Sequence, residues 1–393
     1  MKKTIDDIDV SGKKVFLRVD FNVPVDDSGN VTDASRITAE LPTIKALLSR
    51  GAKVIICSHL GRPKGEPNPK LSLVSVAKYL VNVLNCKVKF SPNAFGDSAK
   101  EMADELEPGE ILVLENIRFY KEEEANDPIF ASRLAELADI YVDDAFGTAH
   151  RKHASNYGVA KLLPNAVGYL MGKEINTICG ALENPEHPFV AILGGAKVSD
   201  KLGVVRNLIK KCDTVLIGGG MAYTFLKAQG KEIGKSLYEE SVLEDAKQIL
   251  EEAANSNVKI YLPIDHLCGT VFSPTTKPIK VDGENIPAEL QGLDIGKKTA
   301  KMYAKIIKDA KTVIWNGPMG VFEFENFQKG TKTVAKAVAK NPGKTIIGGG
   351  DSIAAINALK LTEKVYHIST GGGASMKLIG GEVLPGVDVI SEK

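Results

Sequence analysis

The chain has 393 residues, 44% hydrophobic and 25% charged, with 50 basic and 49 acidic side chains for a formal charge of +1. That length fits two domains or three. The apolar content excludes a disordered chain, and the charge balance excludes a global basic field for gripping nucleic acid. The five cysteines form no C-x-x-C pair and the opening MKKTIDDIDV lacks a signal peptide's apolar stretch; with no apolar run long enough to span a bilayer, a cytoplasmic protein without disulfides or a thiolate metal site is expected.

Short β-branched runs alternate with longer helical patterns, the signature of βαβ units and a parallel sheet. The first half predicts strands at Val15–Val19, Lys53–Cys57, Ile111–Leu114 and Ile140–Val142, with helices over Ala34–Ser49 and Ile129–Ala138. A helical pattern from Val167 to Leu182, bracketed by Pro164 and Pro188, predicts a helix connecting two domains. The second half predicts strands at Phe189–Leu193, Thr214–Ile217, Lys259–Leu262, Thr312–Trp315, Lys344–Ile347 and Val365–Ile368.

Ligands of open α/β sheets bind outside the carboxyl ends of the strands, so the residues there report on the ligand. In the first half they are Asp20-Phe21-Asn22, Ser58-His59-Leu60-Gly61-Arg62, Glu115-Asn116-Ile117-Arg118 and the stretch from Asp143 to Arg151, with Arg36 early in the first long helix. Guanidinium, imidazole and amide groups of this kind suit a small anion. In the second half they are Gly194-Gly195-Ala196-Lys197, Gly218-Gly219-Gly220, Asn316-Gly317-Pro318-Met319-Gly320, Gly348-Gly349-Gly350-Asp351-Ser352 and Gly371-Gly372-Gly373. Glycine between strand and helix lets backbone approach a ligand and leaves helix N-terminal amides for phosphate oxygens.

A single strand–glycine–helix turn serves tight packing as readily as a ligand; the repetition at one topological position favours the ligand. No turn matches Walker A, and none gives a full G-x-G-x-x-G. Arg18 has the weakest case among the arginines because it lies within a strand. Lys197 and Lys201 read as one turn apart at a helix start, where cations ask for an anionic ligand. Asp351 reads as an N-cap or as a Mg²⁺ ligand beside phosphates. Asp20, Asp143 and Asp144 read as orienters of arginines, and Glu122-Glu123-Glu124 as a solvated face. A nicotinamide-dependent dehydrogenase and a non-catalytic sugar-phosphate sensor stand as alternatives.

Arg18-Val19-Asp20-Phe21-Asn22-Val23-Pro24, Ser58 to Pro63, Glu115 to Phe119, Asp143 to Arg151, Leu193 to Lys201, Trp315 to Glu323 and the last two glycine triplets together resemble the phosphoglycerate kinase pattern, in family order from near residue 10 onward. The resemblance implies an α/β fold of two doubly wound, Rossmann-like domains with mainly parallel sheets, joined by a helix and hinge around a central cleft. It implies an N-terminal domain at 1–170 with a returning C-terminal tail at 376–393, and a nucleotide domain at 171–375. The implied activity is reversible phosphoryl transfer between ATP and the carboxylate of 3-phosphoglycerate, giving ADP and 1,3-bisphosphoglycerate in glycolysis, by a monomer using Mg²⁺. Asp20, Asn22, Arg36, His59, Arg62, Arg118 and Arg151 would bind phosphoglycerate. Gly194, Gly195, Lys201, Gly218, Asn316, Glu323, Gly349, Gly350, Asp351 and Ser352 would line the nucleotide site, with Glu323 near the ribose and Asp351 on the metal. Lys197, Arg36 and the amides of Gly371, Gly372 and Gly373 would surround the transferred phosphoryl. Ser352, where threonine is common, and Lys152, in place of a small residue, depart from the pattern.

Overall fold

The apolar runs become strands because their side chains are buried on both faces, as a parallel sheet covered by helices requires. A computed structural model, which describes residues 1–393, divides into two units: Met1–Asn176 with Val383–Lys393, and Thr177–Glu382.

The first unit is built on β1 (Lys14–Arg18), β2 (Lys53–Cys57), β3 (Val88–Ser91), β4 (Ile111–Leu114), β5 (Ile140–Asp143) and β6 (Asn165–Val167), in the order β3-β4-β2-β1-β5-β6 and all parallel. Register pairs Arg18 with both Cys57 and Asp143. The carboxyl ends of β1, β2 and β5 are therefore level, and the turns that follow them sit side by side. Val15, Leu17, Val54, Ile56, Val113 and Val142 share one core with Ile37, Ile44 and Leu47 of the helix Ser35–Ser49.

The second unit carries β7 (Phe189–Leu193), β8 (Thr214–Ile217) and β9 (Lys259–Tyr261), then a separate antiparallel sheet of β10 (Asp265–Gly269), β11 (Ile279–Asp282) and β12 (Gln291–Ile295). It returns with β13 (Thr312–Asn316), β14 (Lys344–Gly348) and β15 (His367–Ile368) to complete a parallel sheet ordered β15-β14-β13-β7-β8-β9. Asn316 pairs with Leu193 and Gly348, and Leu193 with Ile217, so four glycine turns leave the sheet at one level.

The predicted central strands agree with the observed ones to within a residue or two. The edge strands β3 and β6 and the whole antiparallel sheet were not expected, because β3 is short and half-exposed, β6 has only three residues, and the antiparallel strands are interrupted by glycine and charge. The linking helix begins at Tyr169, its expected first residue having been taken into β6, and the division between units falls inside it. The returning tail starts at Val383 rather than 376. Residues before that stay with the second unit, where Asn207 Nδ2 donates to the Ile379 carbonyl at 2.6 Å.

The tail is sewn into the first unit. Gly386 N donates to Ala149 O at 2.8 Å, Lys3 N to Ser391 O at 2.9 Å and Ser391 N to Asn165 Oδ1 at 2.8 Å, while Leu384 and Ile390 are buried. Deleting 383–393 is expected to destabilise the first unit selectively, since each lost apolar anchor contributes about 1.5–3 kcal/mol. Hydrogen exchange in β1 should accelerate, whereas the unfolding midpoint reported by Trp315, the only tryptophan, should hold.

Candidate active site

The level strand ends of the first unit bring a cationic cluster together. Asp20, just beyond β1, takes both of its carboxylate oxygens to Arg36 Nη1 at 2.9 Å. Asn22 Oδ1 accepts from Gly61 N at 2.8 Å, and Arg118 Nη1 donates to Gly61 O at 3.0 Å, which fixes three turns to one another. Two buried residues hold those turns from below. Ser58 Oγ accepts from Phe21 N at 2.8 Å, and the Asn116 amide bonds Leu60 O at 2.7 Å and Leu71 O at 2.9 Å.

His59 is buried at the centre. Burial, then the guanidiniums of Arg18, Arg118, Arg36 and Arg151, hold its pKa well below the usual imidazole range, so it is neutral. Burial and the neighbouring Arg18 and Arg151 push Arg118 down to about 10. The part of that shift that comes from Arg18 and Arg151 reflects positive charge close by, which an anionic ligand relieves. His153 is pushed down to about 3, by burial and then by Arg18, Arg118 and Arg151. Arg62 is exposed and makes no such tie.

Asp20 orients an arginine as expected, whereas Asp143 and Asp144 hold backbone amides instead. Asp143 Oδ1 accepts from Ala145 N at 3.0 Å and Asp144 Oδ1 from Met171 N at 2.8 Å. Glu123 corrects the reading of its acid run as a solvated face: Glu122 and Glu124 are exposed, but Glu123 is fully buried and accepts from Ser155 Oγ at 2.6 Å and Ser155 N at 2.8 Å. A five-residue helix, Lys121–Ala125, is too short to show a period from which that inward turn could be read.

In the second unit a cavity of about 340 Å³ is lined by Gly195, Lys197, Lys201, Asn316, Gly349, Gly350 and Asp351, together with Ala196, Asp200 and Gly317, to which no site role had been given. Lys197 and Lys201 do not share a helix face as expected. Lys197 lies in the loop before a short 3₁₀ turn, Ser199–Lys201, and the α-helix begins only at Leu202. Lys201 is pinned, its Nζ donating to the carbonyls of Gly194 and, at 3.2 Å, Asn316. Asn316 Nδ2 is buried without a hydrogen-bond partner. Asp351, in the first turn of the helix Gly350–Ala358, makes no capping bond, which removes the N-cap reading.

The glycines separate into two kinds. A Cβ on Gly194 would strike the Pro318 carbonyl, and one on Gly218 would lie 2.6 Å from Met319 Sδ, so these two pack turn against turn behind the cavity. Gly350 and Gly372 have open space where a Cβ would be, with Gly372 at φ +44°. Ser352 is also behind the wall, its Oγ accepting from Gly317 N at 2.6 Å. Glu323 is exposed outside the lining residues, and Gly371–Gly373 form a separate turn in which Gly371 N already donates to Ser369 Oγ at 3.2 Å.

A cluster of arginines on fixed turns in one unit and a cavity of lysines, bare backbone and a helix start in the other are the features of an α/β enzyme of the phosphotransferase class. A sequence model of the phosphoglycerate kinase family matches residues 5–382. A phosphoglycerate kinase of Koribacter versatilis is 54% identical over 401 residues, covering 100% of both chains, and one of Clostridium botulinum (strain Alaska E43) is 55% identical over 394 residues, covering 100% of this chain and 99% of its own. The solved phosphoglycerate kinase of Coxiella burnetii superposes with a TM-score of 0.90 at 39% identity, over 99% of this chain and 98% of that one. The chain belongs to the phosphoglycerate kinase family, whose reaction is the reversible transfer of a phosphoryl group between ATP and 3-phosphoglycerate in glycolysis. No helix is long and apolar enough to cross a membrane.

The two kinds of glycine are separable by substitution. Gly194→Ala is expected to lower stability by about 1–3 kcal/mol through overpacking, and Gly350→Ala to leave the unfolding free energy from urea titration within about 0.5 kcal/mol of the parent's.

Proposed function

We propose that the arginine cluster of the first unit holds 3-phosphoglycerate and that the cavity of the second holds the nucleotide phosphates, each as an incomplete set of donors that its anion completes. The observation that carries the nucleotide assignment is the convergence on one cavity wall of Lys197, Lys201, the unpartnered Asn316 amide and the start of the helix at Gly350. A helix start of this kind favours phosphate oxygens. In the first unit Asp20 and Asn22 orient Arg36 and the Gly61 turn, while His59, Arg62, Arg118 and Arg151 contact the substrate. Glu323 is assigned to the ribose hydroxyls. Gly194, Gly195, Gly218, Gly349 and Ser352 shape the nucleotide wall.

Asp351 suits Mg²⁺: it is an exposed carboxylate on the cavity wall, and no group of three or more potential ligands competes with it. One protein carboxylate is enough for an ion that keeps several waters and takes phosphate oxygens. Bound there, the ion would neutralise charge on those oxygens.

The acceptor needs no general base, because a carboxylate with a pKa near ~3.5 is ionised at neutral pH. The barrier is repulsion between two anions. Lys197, Arg36 and the amides of Gly372 and Gly373 are assigned to the equatorial oxygens of the transferring phosphoryl, where fixed positive charge has its largest effect. The five cysteines are free thiols, in keeping with a cytoplasmic setting, and the protein is assigned as a monomer, which light scattering would check.

A coupled assay with ATP, Mg²⁺ and 3-phosphoglycerate tests the whole reading; binding of phosphoglycerate without ATP-dependent turnover would refute it. Lys197→Ala should lower kcat by roughly 10²-fold or more and shift nucleotide affinity less. Arg62→Ala should raise KM for 3-phosphoglycerate with the unfolding midpoint unchanged, since Arg62 supports nothing else.

Burial pushes Lys201 down to about 8, with Asp351 and Asp200 countering. A bound triphosphate favours the ammonium and raises that pKa. Nucleotide affinity should therefore be full below pH ~8 and decline as pH rises through it, with proton uptake on binding in that window. Calorimetry in two buffers of different ionisation enthalpy measures the uptake; a buffer-independent heat at pH 8.5–9 would remove Lys201 from the site.

A further inference from the structure

Beneath the arginine cluster lies a buried chain of hydrogen bonds that the reaction itself does not use. Glu123 accepts from both Ser155 N and Ser155 Oγ, at 2.8 and 2.6 Å. Ser155 Oγ in turn accepts from Arg18 Nε at 2.8 Å. Arg18 Nη1 donates to the Val19 carbonyl, and Nη2 reaches His59 Nδ1 at 3.4 Å. All four side chains are buried, so water does not offer a substitute partner to any of them.

A guanidinium has donors only. The ring nitrogen that faces it must therefore present a lone pair, because a proton on Nδ1 would set N–H against N–H. In the neutral ring the proton then resides on Nε2. That nitrogen lies 3.9 Å from Asp20 Oδ1, beyond hydrogen-bond range, on the side of the ring where Asp20 and Arg36 meet.

We propose that Arg18, anchored by Ser155 and Glu123, is a positioning residue that fixes His59 as the Nε2–H tautomer, so that His59 donates a hydrogen bond to bound phosphoglycerate. The inference rests on the reading of the arginine cluster as the phosphoglycerate site. It gives a role to Arg18, Ser155 and Glu123, none of which need touch the substrate. Of the charged groups facing the ring, Asp20 alone favours an imidazolium, and burial with the four guanidiniums of Arg18, Arg118, Arg36 and Arg151 outweighs it.

The test is long-range ¹H–¹⁵N NMR of the histidine rings in the full-length protein at neutral pH, with His59→Gln supplying the assignment among six histidines. The free protein should show His59 with an unprotonated Nδ1 and a protonated Nε2, and the Nε2 resonance should move when 3-phosphoglycerate is added. An Nδ1–H tautomer, or an imidazolium, overturns the proposal. The right tautomer with no response to 3-phosphoglycerate overturns instead the assignment of the cluster to that substrate, and the donor role with it. Ser155→Ala, which removes the anchor, should mix the two tautomers and raise KM for 3-phosphoglycerate about tenfold, the worth of one hydrogen bond, with KM for ATP unchanged. A single Nε2–H tautomer in Ser155→Ala shows that the anchor does not set the ring and also refutes the proposal.

Discussion

Like charge held at close range in the first unit sets the terms for the turns around it. Arg18, Arg36, Arg118 and Arg151 all act on one buried imidazole, and burial, followed by repulsion from Arg18 and Arg151, brings Arg118 down to about 10. Removing one partner from a buried charge is costly, so every guanidinium that stays buried needs fixed acceptors. The first unit supplies them to Arg18 from the Val19 carbonyl and Ser155 Oγ and to Arg118 from the Gly61 carbonyl, while the part-exposed Arg36 has the Asp20 carboxylate. These acceptors lie on different strand ends. The positive cluster can therefore exist only if the turns are held at fixed heights, which is the work of Ser58, Asn116 and the parallel register of β1, β2 and β5.

The second unit uses the same register for another purpose. Its turns are nearly bare of side chains, and that allows direct backbone contact: Gly195 N donates to Pro318 O at 3.0 Å and Gly219 N to Met319 O at 2.9 Å. Contact at that range requires glycine at Gly194 and Gly218, whichever ligand binds in front of them. It also places the carbonyls of Gly194 and Asn316 where a single ammonium, that of Lys201, reaches both. The packing glycines thus build the wall, and the open glycines, Gly350 and Gly372, leave room for what the wall receives.

Central parallel strands and their following turns were legible in the sequence because burial on both faces leaves an unbroken apolar run, and because ligand chemistry collects where that run stops. The same reasoning located Asp20, His59, Arg118, Lys201 and Asp351. Edge strands such as Val88–Ser91 and the antiparallel sheet left no such run. Within the site, three features depended on tertiary approach. Glu123 is buried because Ser155 and Arg18, distant in sequence, arrive above it; Gly194 and Gly218 are packing glycines because Pro318 and Met319 arrive against them; Lys197 leaves the helix because the chain makes a 3₁₀ turn first. None of these is a local preference, so no local pattern announced it.

Lys201 and Asn316 show how such a wall is made ready without being satisfied. The Lys201 ammonium has two carbonyl acceptors and three protons, so it can remain buried near neutral pH and still offer one donor. The Asn316 amide goes further, buried with Nδ2 unbonded. An unpaired buried donor is expensive in the free protein, and the expense is recovered only when an acceptor of the right height enters the cavity. His59 repeats the arrangement across the other sheet: one nitrogen engaged by Arg18, the other held as a donor. On the proposed reading of the two sites, each group keeps a donor for the ligand. Donors fixed beforehand need no reorganisation when negative charge arrives, which is the condition under which electrostatic stabilisation of a transferring phosphoryl is strongest.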